Sequence, residues 1–240
     1  MRSALVLGGS NGIGLAVVQR LRKTHHVVIL DLAEPMIENL NGITYEQFDV
    51  TQSDFSILDR YQYVDMVFIS VGFGKLALFQ DIKEEMIAKY FNVNTIGVIR
   101  AIRHYYDKLL GKEDFHCGVM VSIAGFMSSP FFSLYGATKA ALKIFIESVN
   151  VELEKAGSTN RILNVSPGSI KGTRFNGGEN NLNETVPLAK EIVKHLEAKD
   201  DLFIPKYEEV FKNVLARYNE DFREEGRHSY EYKLHSDRME

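Results

Sequence analysis

Short apolar runs alternate with longer segments of helical periodicity along most of the chain, and this alternation constrains the fold more than any other feature. Several runs are apolar at nearly every position, which is typical of strands that are covered on both faces. The predicted strands span residues 3–8, 26–31, 43–50, 65–71, 117–122 and 161–165. The predicted helices span residues 12–23, 81–110, Ser133–Lys155 and 186–198. Asp81 and Glu84 are predicted to form a capping box at the start of the second helix.

Strands that alternate with helices predict a parallel sheet with helices on both faces, because right-handed crossovers connect parallel neighbours. We therefore expect an α/β fold with a Rossmann-like, doubly wound parallel sheet of strand order 3-2-1-4-5-6. Residues 202–205 are a candidate seventh strand. No internal repeat or linker interrupts the pattern, which predicts one domain over residues 1–240. Apolar residues at helical spacing from Val210 to Phe222 predict a C-terminal helical extension over about residues 207–240.

The composition excludes several classes of protein. The 240 residues are 45% hydrophobic and 25% charged, and the net charge of −4 offers no basic field for nucleic acid. No run approaches the ~18 apolar residues that a membrane span needs. The single cysteine, Cys117, cannot form an internal disulfide, which favours a reducing compartment and a cytoplasmic location. The seven histidines lack the spacing of metal ligands, so we expect no metal site.

The first predicted strand runs into a glycine-rich loop and then a helix, in the sequence Gly8-Gly9-Ser10-Asn11-Gly12-Ile13-Gly14. Glycines let the backbone approach a pyrophosphate closely, and the helix N-terminus offers it free N–H groups. A plain strand–helix turn would have a similar composition. The segment also contains G-x-S-x-G, the nucleophile elbow of serine hydrolases, with Ser10 as the nucleophile. An elbow normally follows several strands, whereas one strand precedes Ser10, so the hydrolase interpretation is disfavoured.

Asp31 ends the second predicted strand, 17 residues after Gly14. An acidic side chain at this offset can accept hydrogen bonds from the adenosine ribose of NAD and repels the 2′-phosphate of NADP. Neither Ser10 nor Asn11 supplies a compensating positive charge. An ordinary capping role for Asp31 is the alternative. Within the glycine-loop interpretation, we expect NAD to be preferred over NADP.

Tyr135 and Lys139 are four residues apart in a predicted helix and so lie on one face of it. Ser122 ends a predicted strand, and ligands bind at the strand ends of a doubly wound sheet. A nearby ammonium favours the phenolate and is expected to lower the pKa of Tyr135. Tyr135 would then exchange a proton with a carbonyl or alcohol oxygen that Ser122 holds. A surface pair at this spacing is the alternative, because chance produces such pairs readily.

Taken in order, these segments resemble the classical short-chain dehydrogenase/reductase family over about residues 3–175. The family's glycine loop is similar to residues 7–14, and its acidic residue after strand two corresponds to Asp31. The family's aspartate followed by an aliphatic residue is similar to Asp49-Val50. The family's motif after strand four falls on residues 69–72. Its P-G motif corresponds to residues 167–170.

The resemblance implies a catalytic set and a cofactor-binding set. The implied catalytic residues are Asn94, Ser122, Tyr135 and Lys139. The implied cofactor-binding residues are Gly8, Ser10, Asn11, Gly12, Ile13, Gly14, Asp31, Asp49, Val50, Ser70, Val71, Gly72, Tyr135, Lys139, Pro167, Gly168, Ile170 and Thr173. It further implies a homodimer or homotetramer built on the two long helices before and containing Tyr135.

Several regions depart from the family pattern or leave a choice open. One extra residue precedes Thr173, and the usual V-D-G-G ending is absent. The charged tail at residues 223–240 is either a solvated end or a cover for a partner subunit or the active site. Between Ser122 and Tyr135, the residues Phe126, Met127, Phe131 and Phe132 either pack as core or form an apolar substrate wall. Lys171 and Arg174 are either solvated or meet an acidic group of the substrate.

These observations favour an NAD-dependent oxidoreductase that interconverts a small-molecule alcohol and carbonyl by hydride transfer, with Tyr135 as acid/base. A dinucleotide-binding regulatory or sensor protein on the same fold is the main alternative, since a fold does not determine a function. A serine hydrolase using Ser10 is the third interpretation.

Overall fold

A seven-stranded sheet forms the centre of the protein in the computed structural model, which describes residues 2–175 and 178–235. Its strand order is β3-β2-β1-β4-β5-β6-β7, and every neighbouring pair is parallel. The strands are β1 (Arg2–Leu7), β2 (His25–Asp31), β3 (Ile43–Gln47), β4 (Met66–Ile69), β5 (His116–Met120), β6 (Ile162–Val165) and β7 (Leu202–Phe203). The predicted Rossmann-like α/β fold is confirmed, and the candidate seventh strand is present.

Alternate residues of the central strands enter two separate apolar cores, which explains why the strands lack a polar face. On β1, Leu5 and Leu7 belong to one core, and Ala4 and Val6 belong to the other. All four side chains are fully buried. Both faces of the sheet therefore need a covering layer of helices.

Helices provide that layer on each side. They are α1 (Gly12–Leu21), α2 (Glu84–Phe91), α3 (Gly97–His104), α4 (Tyr106–Leu110), α5 (Ser133–Lys155), α6 (Leu182–Ala198), α7 (Lys212–Glu220) and α8 (Phe222–Leu234). α1 and α6 contribute Val18 and Ile192 to the core around Val6. α3 and α5 contribute Ile102 and Ile146 to the core on the opposite face.

The predicted helix over residues 81–110 is divided in the structure. Asp81 ends a short 3-10 turn, Phe79–Asp81, and α2 begins at Glu84 after Lys83 without a side-chain cap. The predicted capping box is therefore wrong. A π-helical turn, Asn92–Ile96, separates α2 from α3. Single π-turns inside helices are rare and often occur at functional sites.

The C-terminal region is also divided where one helix was predicted. A π-turn, Tyr207–Phe211, leads into α7, and Asp221 then caps α8 by accepting hydrogen bonds from the N–H groups of Arg223 and Glu224. Phe222 thus begins α8 and is 61% exposed rather than continuing the apolar face of α7. Across the described residues, no helix combines the length and apolarity required to cross a membrane.

Candidate functional site

The glycine loop joins β1 to α1 and depends on two close backbone approaches. Gly8 has φ of +78°, and a Cβ there would lie 2.7 Å from the Val71 nitrogen. A Cβ on Gly14 would lie 2.0 Å from the Gly8 oxygen. Side chains are thereby excluded from both positions. Asn11 precedes α1 without capping it through its side chain, and Ile13 is half-buried in the first turn.

The first backbone N–H of α1 has an acceptor from a distant segment. The Gly12 nitrogen donates to Asn180 Oδ1 at 2.8 Å. Thr173 also reaches the loop, because its Cβ lies 3.6 Å from the position that a Gly12 Cβ would occupy. The structure therefore brings Thr173, which follows β6, to the glycine loop despite the extra residue before it. A backbone N–H at the start of a helix is also a suitable donor to an anionic ligand.

Asp31 ends β2 beside the same loop. The Ser10 nitrogen donates to Asp31 Oδ2 at 2.9 Å, and the Phe48 nitrogen donates to the Asp31 oxygen at 2.9 Å. Ser10 is 1% exposed, and its hydroxyl donates to the Ala33 oxygen. A buried hydroxyl that is engaged in this way is poorly placed to act as an elbow nucleophile, which argues against the hydrolase interpretation.

Asp49 and Val50 follow β3 at the same edge of the sheet. Asp49 Oδ1 accepts hydrogen bonds from the nitrogen and hydroxyl of Thr51, at 2.8 and 2.7 Å. Val50 is buried under the start of α3, where a Cβ on Gly97 would lie 2.7 Å from the Val50 oxygen. The turn is therefore fixed locally, and Asp49 remains half-buried at the rim.

The segment after β4 connects the glycine loop to the centre of the site. The Ser70 nitrogen donates to the Leu7 oxygen at 2.7 Å, and Val71 lies against Gly8. Gly72 has φ of +156°, and a Cβ there would lie 3.4 Å from both Asn94 Oδ1 and Lys139 Nζ. Because Gly72 has no side chain, the polar ends of Asn94 and Lys139 can both lie close to its backbone.

Asn94 lies in the π-helical turn and is fully buried. Its Oδ1 accepts from the Phe73 nitrogen at 3.0 Å, and its Nδ2 donates to the Phe73 oxygen at 2.9 Å. Nδ2 also lies 3.3 Å from Thr138 Oγ1 on α5. One amide therefore fixes the segment after β4 relative to α5, the helix that carries Tyr135.

Ser122, Tyr135 and Lys139 gather where β5 ends. Ser122 is 8% exposed, accepts a hydrogen bond of 3.1 Å from the Ala124 nitrogen, and hydrogen-bonds to Tyr135. Lys139 is one turn beyond Tyr135, with Nζ 5.7 Å from the Tyr135 ring centroid. Nζ donates to the Met120 oxygen at 2.8 Å.

Burial shifts both pKa values in this group. It raises the pKa of Tyr135 to about 12, an effect that the hydrogen bond with Ser122 opposes. Burial lowers the pKa of Lys139 to about 7. The expected lowering of the Tyr135 pKa by Lys139 is therefore wrong for this structure, because loss of solvent disfavours the charged form of each group.

The Pro-Gly segment after β6 lies beside Ser122. The Pro167 oxygen accepts from the Ile123 nitrogen at 3.1 Å and lies 3.5 Å from Ser122 Oγ. A Cβ on Gly168 would lie 2.5 Å from Phe211 Cζ. Farther along, the Ile170 oxygen accepts from the Thr173 hydroxyl at 3.3 Å.

The charged tail covers part of this region. Lys233 Nζ on α8 donates to Ser129 Oγ at 2.7 Å and to the Pro130 oxygen at 2.9 Å. Tyr230 stacks on Phe131 with ring centroids 4.7 Å apart. Of the alternatives for residues 223–240, the structure supports contact beside the candidate site for α8, while residues 236–240 lie outside the described residues.

Several contacts at the candidate site were not predicted from the sequence. Phe175, for example, lies 5.0 Å from Tyr135 between ring centroids. Arg174 was considered from the sequence as a solvated or substrate-binding cation, but its contact with Met36, with Nη1 3.9 Å from Sδ, was not. Asn180 and Phe211 are likewise at the site. No spacing or motif signals these contacts, because each residue follows a long loop or belongs to the atypical C-terminal region. In the described ranges, no three His, Cys, Asp or Glu side chains gather in a metal-binding arrangement.

Comparisons with known proteins agree with the fold. The short chain dehydrogenase family matches residues 2–184. The 3-oxoacyl-[acyl-carrier-protein] reductase MabA of Mycobacterium avium is 30% identical, covering 70% of this chain and 67% of the relative. Short-chain dehydrogenase srdE of Neurospora crassa is 30% identical, covering 89% of this chain and 77% of the relative.

Solved structures show the same fold. A short chain dehydrogenase/reductase from Burkholderia phymatum in complex with NAD has a TM-score of 0.76 at 17% identity, covering 92% of this chain and 94% of that one. An alcohol dehydrogenase from Thermococcus sibiricus complexed with 5-hydroxy-NADP has a TM-score of 0.70 at 19% identity, covering 85% of this chain and 95% of that one. The match over residues 2–184 assigns the chain to the short chain dehydrogenase family of oxidoreductases.

Proposed function

We propose that this protein is an NAD-dependent oxidoreductase that interconverts an alcohol and a carbonyl, with Tyr135 as the acid/base. The observation that carries the proposal is the meeting of Ser122, Tyr135 and Lys139 at the end of β5. The glycine loop lies at the same edge of the sheet. A protein that only senses a dinucleotide would not need Ser122, Tyr135 and Lys139 to lie together.

The residues at the glycine loop fit a dinucleotide. Gly8 and Gly14 keep side chains out of the loop, and the Gly12 N–H at the start of α1 already holds an amide oxygen. A phosphate oxygen could accept a hydrogen bond from the same N–H group. We propose NAD rather than NADP because the Asp31 carboxylate lies beside this loop, where it would accept hydrogen bonds from an adenosine ribose and repel a 2′-phosphate.

The bound nicotinamide would supply or accept the hydride. In the reduction direction, the Ser122 hydroxyl donates a hydrogen bond to the substrate's carbonyl oxygen, and the Tyr135 hydroxyl transfers its proton to that oxygen. In oxidation, the deprotonated Tyr135 oxygen takes the proton from the alcohol. Lys139, when protonated, stabilises the tyrosinate, and Asn94 holds the Phe73 backbone so that the floor of the site keeps its position.

Self-association accompanies this proposal. Ile144 on α5 is 60% exposed, Val151 on the same helix is 49% exposed, and Ile96 before α3 is 47% exposed. Apolar side chains on the two long helical regions support a homodimer or homotetramer that buries them. Sedimentation at several concentrations checks this, with Ile144→Glu expected to shift the protein towards monomer. A cytoplasmic location is proposed from the single, buried Cys117.

The central test is turnover by Tyr135→Phe. We expect a panel of uncharged aldehydes and ketones, together with a 3-oxoacyl thioester, to include a compound that wild-type protein reduces with NADH. Loss of a general acid should then lower kcat by about 10²–10⁴-fold while NADH binding is retained. Unchanged turnover by Tyr135→Phe would remove Tyr135 from the mechanism. NADH binding without turnover of any panel member would favour the sensor interpretation.

A further inference from the structure

Three phenylalanines from separate parts of the chain lie beside Tyr135 or the Pro-Gly segment. Phe132 precedes α5, and its ring centroid is 5.3 Å from that of Tyr135. Phe175 follows β6 and is 5.0 Å from Tyr135 and 5.8 Å from Phe132. Phe211 comes from the C-terminal region and contacts Gly168. We call Phe132, Phe175 and Phe211 the aromatic wall.

Two glycines make room for the wall. A Cβ on Gly74 would lie 2.5 Å from Phe175 Cζ and 3.0 Å from Tyr135 Cδ2. A Cβ on Gly168 would lie 2.5 Å from Phe211 Cζ. Because Gly74 and Gly168 have no side chains, the rings of Phe175 and Phe211 can pack directly against the backbone at these two positions.

The Phe132 side of the wall is supported from behind by α8. Lys233 Nζ lies 5.6 Å from the Phe132 ring centroid while donating to Ser129 and Pro130. The preceding residue, Phe131, has φ of +64°, stacks on Tyr230, and accepts a hydrogen bond of 2.9 Å from the Ala77 nitrogen. These contacts anchor the segment that precedes α5 and carries Phe132.

The rings of the aromatic wall offer no hydrogen-bond donor to an acidic substrate, and the nearby Lys233 ammonium already donates to Ser129 and Pro130. A carboxylate placed against Phe132 and Phe175 would lose its water without gaining a hydrogen-bond donor from either ring. Arg174 is directed to Met36, which is bonded through its nitrogen to Ser10 at the glycine loop, and Lys171 is exposed. The two cations considered from the sequence therefore do not form part of the aromatic wall.

We propose that the aromatic wall binds the apolar group of the substrate and selects alcohols and carbonyl compounds that carry an uncharged aromatic ring beside the reacting carbon. This inference rests on the proposed oxidoreductase function and adds a substrate class to it. The rings around Tyr135 are tilted by 38° to 58° with centroids 5.0–5.8 Å apart. A further ring entering this cluster can adopt the edge-to-face or offset contacts that aromatic pairs prefer.

The test compares benzaldehyde with cyclohexanecarbaldehyde, two uncharged aldehydes of equal carbon number, and adds 4-carboxybenzaldehyde. The ratio of kcat/KM for benzaldehyde over cyclohexanecarbaldehyde is measured in wild-type protein, Phe175→Leu and the control Phe222→Leu. Intrinsic reactivity cancels when the same ratio is compared between variants. Phe175→Leu should lower the ratio about two- to tenfold, the range expected for loss of an aromatic pair. Phe222→Leu, at an exposed position, should leave it unchanged. 4-Carboxybenzaldehyde should be at least about tenfold poorer than benzaldehyde in wild-type protein.

A binding measurement separates failure of this inference from failure of the proposed function. Saturation-transfer NMR of benzyl alcohol with NADH-loaded protein should detect ring contacts that weaken in Phe175→Leu and persist in Phe222→Leu. Such binding without turnover of any aldehyde would support the wall and overturn the proposed function. Turnover with the same substrate ratio in all three proteins would overturn the wall and leave the function intact. Absence of benzyl alcohol binding also overturns the wall.

Discussion

Asn180 Oδ1 accepts a hydrogen bond of 2.8 Å from the backbone nitrogen of Gly12, the first residue of α1. The two residues are 168 positions apart in the chain. The neighbouring Asn181 nitrogen donates to the Gly172 oxygen at 3.1 Å, which fixes the backbone that presents Asn180. An amide side chain and a pyrophosphate oxygen would therefore compete for one N–H at the start of α1.

Asn180→Asp should weaken NADH binding at least about tenfold, because a carboxylate would hold the Gly12 N–H and the positive end of α1 more strongly and would repel the pyrophosphate. Asn180→Ala should bind NADH somewhat more tightly than wild-type protein, since the competing acceptor is gone. Calorimetric titration with NADH measures both effects.

Asn181→Asp is the matched control for added charge. Asn181 caps α6 by accepting from the Asn183 nitrogen, a role that aspartate also performs. Its NADH affinity should stay near that of wild-type protein. Equal NADH affinities for the two aspartate variants would show that Asn180 does not compete with the cofactor. Weaker NADH binding by Asn180→Ala would show that the Asn180 side chain helps to hold NADH.

Asp31→Ala should shift the preference from NADH towards NADPH. Removing the carboxylate removes its repulsion of a 2′-phosphate, and the Arg174 guanidinium near Met36 leaves a positive charge on that side of the loop. We expect the ratio of the two dissociation constants to change about tenfold or more. The control is Glu34→Ala, an exposed carboxylate just after β2. A wild-type protein that binds NADPH as tightly as NADH would contradict the role given to Asp31.

Lys139→Met should remove a pH dependence of stability. The Lys139 pKa is lowered by burial from 10.5 to about 7, so between these values the unfolded chain binds a proton that the folded protein does not. The free energy of unfolding of wild-type protein should therefore rise with pH above 7, and below pH 7 the full penalty of the buried charge is present. Relative to the variant, the rise should reach about 2 kcal/mol between pH 7 and pH 9.

Urea denaturation at pH 7, 8 and 9 measures this difference. Lys143→Met, one turn farther along α5, is the control and should follow the pH dependence of wild-type protein. The comparison cancels the titration of other groups, including Cys117, whose pKa burial raises to about 12. A constant difference between wild-type protein and Lys139→Met across this range would show that Lys139 keeps its proton in the folded state.

Gly14→Ala should destabilise the protein and abolish NADH binding. The new Cβ would lie 2.0 Å from the Gly8 oxygen, and because that neighbour is backbone, the glycine loop itself must move. We expect a loss of about 3 kcal/mol in the free energy of unfolding. Gly111→Ala is the control, since its Cβ would come no closer than 3.3 Å to the surrounding atoms. Normal NADH affinity in Gly14→Ala would contradict the proposed position of the pyrophosphate.

Local pattern was sufficient for much of the fold and the outline of the site. Unbroken apolar runs such as those in β1 and β2 predict buried parallel strands, and helical periodicity predicts Ser133–Lys155 with the bounds that the structure has. Strand ends were less accurate, because β3 stops at Gln47 once the chain turns towards Asp49. The predicted capping box failed because the chain after Asp81 is extended at Ile82 and Lys83 before α2 begins.

Local sequence patterns were enough to predict the alternation of strands and helices, the glycine loop, and the placement of Ser122 and Tyr135 at or near strand ends. These properties depend on periodicity and spacing within about 20 residues. The tertiary structure decided that the Tyr135 pKa is raised rather than lowered, and that Asn180, Phe175 and α8 lie at the site. Burial and contacts between distant residues arise only when the sheet and its covering helices have assembled, so no local spacing encodes them.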